Sequence, residues 1–181
     1  MNNSTNSVIG IVSDTHYWQR NTPVVTKEGA IQLQQWSEEL MATLLVELER
    51  GGVTQVLHLG DITCGGGTYA MPAADFAATL SSLHRRFENA PMPIAALPGN
   101  HDSLPGTGSM DIFCQIWGTA PGIGLTIDVP EARLVLLNSQ GHPASVLAAA
   151  PDGDPVFGWV NDAELARLDT ALATAGSRPV L

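Results

Sequence analysis

Apolar residues in this chain fall into short runs that break off into polar residues able to bind ligands. Residues 8–12, Val-Ile-Gly-Ile-Val, are largely β-branched and give way at once to Ser13-Asp14-Thr15-His16, which predicts a buried strand running into a loop. Residues 53–59 form a second strand-like run and end in Gly60-Asp61. Residues 94–97 form a third, ended by Pro98-Gly99 and then Asn100-His101-Asp102. Between these runs the apolar spacing changes to three and four. Leu33, Trp36, Leu40, Leu44 and Leu48 predict one helical stripe stopped by Gly51-Gly52. Phe76, Leu80, Leu83 and Phe87 predict a second helix, with Arg85 and Arg86 in its last turn. Strands alternating with helical connections predict right-handed β-α-β units and a largely parallel sheet. The three strand ends then share the carboxyl edge, where open α/β sheets bind ligands.

Further along, the pattern changes. Residues 122–129 and 133–137 are closely spaced strands joined by Pro130-Glu131-Ala132, which predicts a hairpin in a second, antiparallel layer. Asn161 followed by Glu164 resembles a capping box, and Leu165, Leu168 and Leu172 carry the helix toward Gly176. Residues 178–181 read as the start of another strand.

Composition narrows the class. A chain of 181 residues has the length of one domain, and 44% hydrophobic against 14% charged residues excludes a disordered polymer. Eight Lys and Arg against eighteen Asp and Glu give a net charge of −10, so nucleic acid is not an expected partner. An anionic substrate would need a local positive centre. Cys64 and Cys114 form no C-x-x-C pair and read as reduced, buried thiols. No basic leader and no long apolar run is visible, so the expectation is a cytoplasmic protein with no membrane partner.

Chemistry enters with Asp14, His16, Asp61, Asn100 and His101, which are far apart in sequence but placed by this topology at one sheet edge. Carboxylate oxygen and imidazole nitrogen suit divalent Mn, Fe, Zn or Ni, and a shared carboxylate can bridge two ions. Two ions about 3.5–4 Å apart clamp the attacking and leaving oxygens of a displacement at phosphorus. The implied substrate is a small phosphoester.

Asp14-x-His16, Gly60-Asp61 and Gly99-Asn100-His101-Asp102, in this order and each at a strand end, resemble the first three motifs of the calcineurin-like metallophosphoesterases. The resemblance runs from about Val8 to Leu181. It implies an α/β fold, a layered α/β/β/α sandwich, as a single domain over residues 1–181. It further implies two divalent metal ions, with Asp14 and His16 on one, Asp61 bridging both and Asn100 on the second. His101 would be a non-ligand that protonates the leaving group or stabilises the transition state, with Asp102 orienting it. The implied activity is phosphomonoester or phosphodiester hydrolysis through a metal-bridging hydroxide. The family continues with a strand ending in a metal-binding His and then a Gly-His-x-His motif, neither of which is present here. The expectation is therefore a domain incomplete at its C-terminal end. The alternative is a catalytically incompetent fragment or remnant with an incomplete metal site.

Other features have plainer readings. Gly65-Gly66-Gly67 lacks the following Lys-Ser or Lys-Thr of a P-loop and reads as a flexible rim loop. His58 reads as a hydrogen-bonded core histidine, His84 as solvent-facing, and Asp152-Gly153-Asp154-Pro155 as a turn. Trp18, Tyr69, Trp117 and Trp159 read as packing residues.

Overall fold

The computed structural model describes residues 6–20, 24–25, 29, 31–67, 69–155 and 157–181. In chain order the elements are β1 (Ile9–Val12), β2 (Val24–Val25), β3 (Ile31–Gln32), α1 (Ser37–Arg50), β4 (Gln55–His58), α2 (Ala73–Glu88) and β5 (Ile94–Ala96). They continue with α3 (Asp111–Trp117), β6 (Leu125–Asp128), β7 (Arg133–Leu136), α4 (Ala144–Ala149) and α5 (Asp162–Ala173). The expected parallel sheet is present with order β1-β4-β5, Ile9 facing Gln55 and Val56 facing Ile94. β2 and β3 form a small antiparallel pair.

Side-chain alternation along β4 divides the core. The ring of His58 lies toward Phe87 of α2, on the side where Phe76, Leu80, Leu83, Phe113 and Met41 are buried among the helices. Leu57 points the other way, onto Leu97 and onto Leu134 and Leu136 of the β6–β7 hairpin. Each fully buried Phe or Leu here contributes roughly 1.5–3 kcal/mol. The hairpin is antiparallel as expected, with Leu125 opposite Leu136 and Asp128 opposite Arg133. Residues 179–181 run parallel to β7, Leu181 N donating to Arg133 O at 2.9 Å and Val135 N to Leu181 O at 2.8 Å. With α5 on the outer side of the hairpin, the order of layers is helix, sheet, sheet, helix.

Two helices turn a different face inward from the one their leucines suggest. α1 begins only at Ser37, after a 3-10 turn at Gln34–Trp36, so the residues before it do not share its phase. Ser37 and Met41 are buried, Leu44 and Leu45 pack beside them, and Leu33, Trp36 and Leu40 are exposed. α5 exposes Leu165 and Leu172 and buries Glu164 and Ala171. Its Asn161 cap accepts from Glu164 N at 2.8 Å, but the Glu164 carboxylate does not complete the capping box. That carboxylate accepts from Gly124 N at 3.0 Å, Asn138 N at 2.9 Å and Arg167 Nε at 2.7 Å, bolting α5 to the hairpin through a buried ion pair. Burial pushes this carboxyl up, and Arg167 with the two backbone N–H groups outweighs it, so its pKa ends below the ordinary value. Cys64 and Cys114 are free and buried. Among the described residues no helix is long and apolar enough to cross a membrane.

Candidate metal centre

The site is assembled by parallel pairing that outlasts the strands. Past the end of β1 and β4, Asp14 N donates to Gly60 O at 3.0 Å, His16 N to Asp61 O at 3.0 Å and Tyr17 N to Ile62 O at 2.7 Å. This ladder holds the Asp-x-His and Gly-Asp segments side by side. Below it, His58 Nδ1 accepts from Gly60 N at 3.3 Å, which leaves the proton on Nε2 for Thr15 Oγ1 at 3.0 Å, and Thr15 donates onward to Ile62 O at 3.1 Å. His58 is the core histidine expected, kept neutral by burial, which pushes its pKa down to about 4.

Among the described residues only four non-glycines have positive φ, and three of them are Asp14 at 55°, His16 at 42° and Asp61 at 52°. The left-handed region is uncommon outside glycine, although Asp and His are among the more tolerant side chains there. Clustered strain of this kind marks a functional site rather than a chance turn. Its effect is to turn three polar side chains out over the sheet edge. His16 Nε2 lies 3.8 Å from Asp14 Oδ1 and 4.0 Å from Asp61 Oδ2. Ligand-capable atoms of His16, Asp61 and His101 all fall within 4.8 Å of one another. Burial lowers the pKa of His16, and the His101 charge acts the same way, against the raising pull of Asp61 and Asp14. A neutral imidazole between two carboxylates is the form that coordinates a cation. His16 Nδ1 is buried and makes no well-formed hydrogen bond, with the Thr63 backbone acting on it only weakly. The donor set of carboxylate, imidazole and amide fits a divalent first-row ion.

The third segment arrives from β5. Gly99 N donates to Asp102 Oδ2 at 2.9 Å, and the following 3-10 turn carries Asn100, His101 and Asp102. His101 N donates to Asp61 Oδ1 at 2.9 Å, tying this turn to the central carboxylate. The ring of His101 bonds through Nδ1 to Gly65 O at 2.9 Å. A carbonyl only accepts, so Nδ1 carries the proton and Nε2 is presented to the site.

Asp102 does not orient that ring, contrary to the expectation from the motif. It is fully buried, and its carboxylate accepts from Ile62 N at 3.1 Å, Thr63 N at 2.8 Å and Gly99 N. Successive residues of a 3-10 turn diverge by about 120°, so the neighbour of an outward His101 points inward. Asp102 is thus a staple between the β4 and β5 loops. Burial pushes its pKa up to about 6 even against those N–H donors.

Four residues outside the motifs belong to the same neighbourhood. Gly65 and Gly66 are buried rather than a rim loop, since a Cβ on Gly65 would lie 2.5 Å from His101 O and 2.4 Å from Ser103 O. The Tyr69 ring packs 5.2 Å from His16 and 4.9 Å from His101, so it lines the centre instead of serving as general packing. Asp154 accepts from Asn100 Nδ2 at 3.0 Å. A local pattern could have pointed to Gly65, because a glycine run beginning four residues after the Asp of a Gly-Asp motif signals close backbone approach. Nothing local points to Asp154. His84, expected to face solvent, is half-buried with its ring 4.8 Å from Trp117. A cavity of about 370 Å³ opens beside Asp14 and His16, walled by Gln34, Leu40, Met41 and Leu44 among others.

The sequence profile of the calcineurin-like phosphoesterases matches residues 7–160. No curated protein sequence matches. Among solved structures, a dimetal phosphatase from Danio rerio is similar, with a TM-score of 0.61 and 15% identity. That similarity covers 95% of this chain and 67% of the Danio rerio chain.

Proposed function

The chain belongs to the calcineurin-like phosphoesterase family, and we propose that Asp14, His16, Asp61 and Asn100 hold two divalent cations for the hydrolysis of a small phosphoester. The observation that carries this reading is the convergence of three strand-end segments at one sheet edge, where Asp14, His16 and Asp61 hold positive φ and ligand-capable atoms of His16, Asp61 and His101 lie within 4.8 Å of one another. Asp14 and His16 would hold one ion, Asn100 the other, and Asp61, between the two loops, would be shared. The solved relative described as a dimetal phosphatase has the same fold and supports a pair of ions rather than one. Mn, Fe, Zn or Ni at this centre would supply the positive charge that a chain of net charge −10 lacks, and would polarise phosphoryl oxygen and acidify water.

The chain's own groups then have distinct tasks. Asp61 is held by the His101 N–H, so its carboxylate is positioned before any ligand arrives. His101, its Nδ1–H fixed on Gly65 O, directs Nε2 at the departing oxygen; as the imidazolium it gives up the Nε2 proton to that oxygen and is left as the neutral Nδ1–H tautomer. The cavity beside Asp14 and His16 receives the organic part of the ester against Leu40, Met41 and Leu44.

The test is hydrolysis of bis-nitrophenyl phosphate with Mn2+ by wild type, Asp61→Ala and His101→Ala. Asp61→Ala is expected to abolish turnover. His101→Ala is expected to slow it by roughly 10²–10⁴ while the metal stays bound. Full activity in Asp61→Ala overturns the proposal.

A further inference from the structure

We propose that Asp154 is a positioning residue that sets the amide of Asn100 with its oxygen toward the metal centre, an inference that rests on Asn100 being a metal ligand. An asparagine amide has one accepting end and one donating end, and a cation takes only the oxygen. The two ends are nearly equal in shape, so packing alone does not choose between them. A hydrogen bond to a carboxylate does, because an ionised carboxylate only accepts. Asn100 Nδ2 donates to Asp154 Oδ1 at 3.0 Å, so the nitrogen is committed to Asp154 and Oδ1 is turned away from it. The other carboxylate oxygen, Oδ2, accepts from Gly67 N at 3.4 Å, so Asp154 is itself held at both ends.

The backbone is shaped to bring Asp154 there from 54 residues away. It follows the 3-10 turn Pro151–Gly153, which docks on the loop after Asp102 through two glycines. A Cβ on Gly108 would lie 2.0 Å from Gly153 O, and a Cβ on Gly153 would lie 2.6 Å from Gly108 N. Both have positive φ, 67° and 69°, so neither position accepts another residue without strain. On the opposite side Gly66 leaves the room Asp154 occupies, since a Cβ there would lie 3.1 Å from Asp154 Oδ2 and 3.3 Å from His101 Nδ1. Asp154 is part of no motif that carries the family resemblance. Its work is to remove the wrong amide orientation before the ion binds, as outer partners of metal ligands do, and their loss typically costs 10–100-fold in affinity.

The experiment is calorimetric titration of Mn2+ into metal-free wild type, Asp154→Ala, Asp154→Asn, Asn100→Ala and the Asp154→Ala/Asn100→Ala double variant. Thermal midpoints of the metal-free proteins are measured alongside. Asp154→Ala is expected to weaken one of two binding events by 10–100-fold and leave the other. Asp154→Asn, whose amide oxygen still accepts from Asn100, is expected to keep most of the affinity. In the double variant, removing Asp154 is expected to cost nothing beyond Asn100→Ala, because its only route to the ion is gone. Wild-type affinity in Asp154→Ala overturns the inference, as does equal loss in Asp154→Asn or an additive loss in the double variant. Absence of Mn2+ binding by wild type overturns the functional reading and this inference with it, whereas wild-type binding of two ions combined with an inert Asp154→Ala sinks only the inference.

Discussion

Gly99→Ala separates space from backbone conformation at the centre. Gly99 has φ −98° and ψ −175°, an extended conformation open to any residue, so alanine adds no backbone strain. What it adds is a methyl group 2.1 Å from Asp61 Oδ1 and 2.4 Å from Asp61 N. Real Cβ atoms essentially never approach within 3.0 Å, so the carboxylate or the loop must move by about 1 Å. The carboxylate cannot swing aside without giving up the 2.9 Å bond from His101 N. Overpacking of this kind costs roughly 1–3 kcal/mol of stability. Metal coordination tolerates distance errors of only about 0.2 Å, so a displacement of about 1 Å is expected to weaken Mn2+ binding at least 10–100-fold. Urea denaturation and Mn2+ titration read the two effects separately. Gly106→Ala is the control: φ is +81° and nothing lies within 4 Å of the added Cβ, so only backbone strain of about 1–2 kcal/mol is expected, with metal affinity unchanged. Wild-type Mn2+ affinity in Gly99→Ala would refute the geometry from which the centre is argued.

Two further outcomes follow from buried titratable groups. His58 is 1% exposed with its pKa pushed down to about 4, so the unfolded chain, near 6.5, binds the proton more readily; stability is fully present above pH 6.5 and declines by about 3 kcal/mol as pH falls toward 4. Denaturation of metal-free protein across that window checks it, and a His58→Gln variant that keeps the wild-type slope contradicts it. Glu164→Ala strips the partner from Arg167 and the acceptor from Gly124 N and Asn138 N, which is expected to cost about 3–5 kcal/mol while leaving Mn2+ affinity intact in the folded fraction. Because the folded pKa of Glu164 is lowered, its ion pair stabilises above the ordinary carboxylate range and is lost only as pH falls below it, so acid denaturation of Glu164→Gln should begin from a lower starting stability.

The parallel sheet and the approach of Asp14, His16, Asp61 and His101 to one another at its edge were legible because each polar segment follows directly on a short buried strand. Parallel pairing then leaves little freedom in where a strand's end can lie. The inward faces of α1 and α5 were not legible. The leucine stripe 33-36-40-44-48 crosses a 3-10 turn, whose tighter period breaks the phase, and α5 docks through Glu164 rather than leucine. Asp102 misled because adjacency in sequence to His101 is not adjacency of side chains in a 3-10 turn. Reading residues 152–155 as a turn described the backbone near Asp154 and said nothing of what the turn packs against. That is decided by Gly108 and Gly153 touching across 45 residues, a contact no local pattern encodes.

The most direct test is anomalous diffraction from crystals of the protein soaked in Mn2+. Two peaks about 3.5–4 Å apart, with Asp61 between them, His16 and Asp14 at one and Asn100 Oδ1 at the other, are the predicted result. A single peak held by His16, Asp61 and His101, with Asn100 turned away from it, would contradict the account.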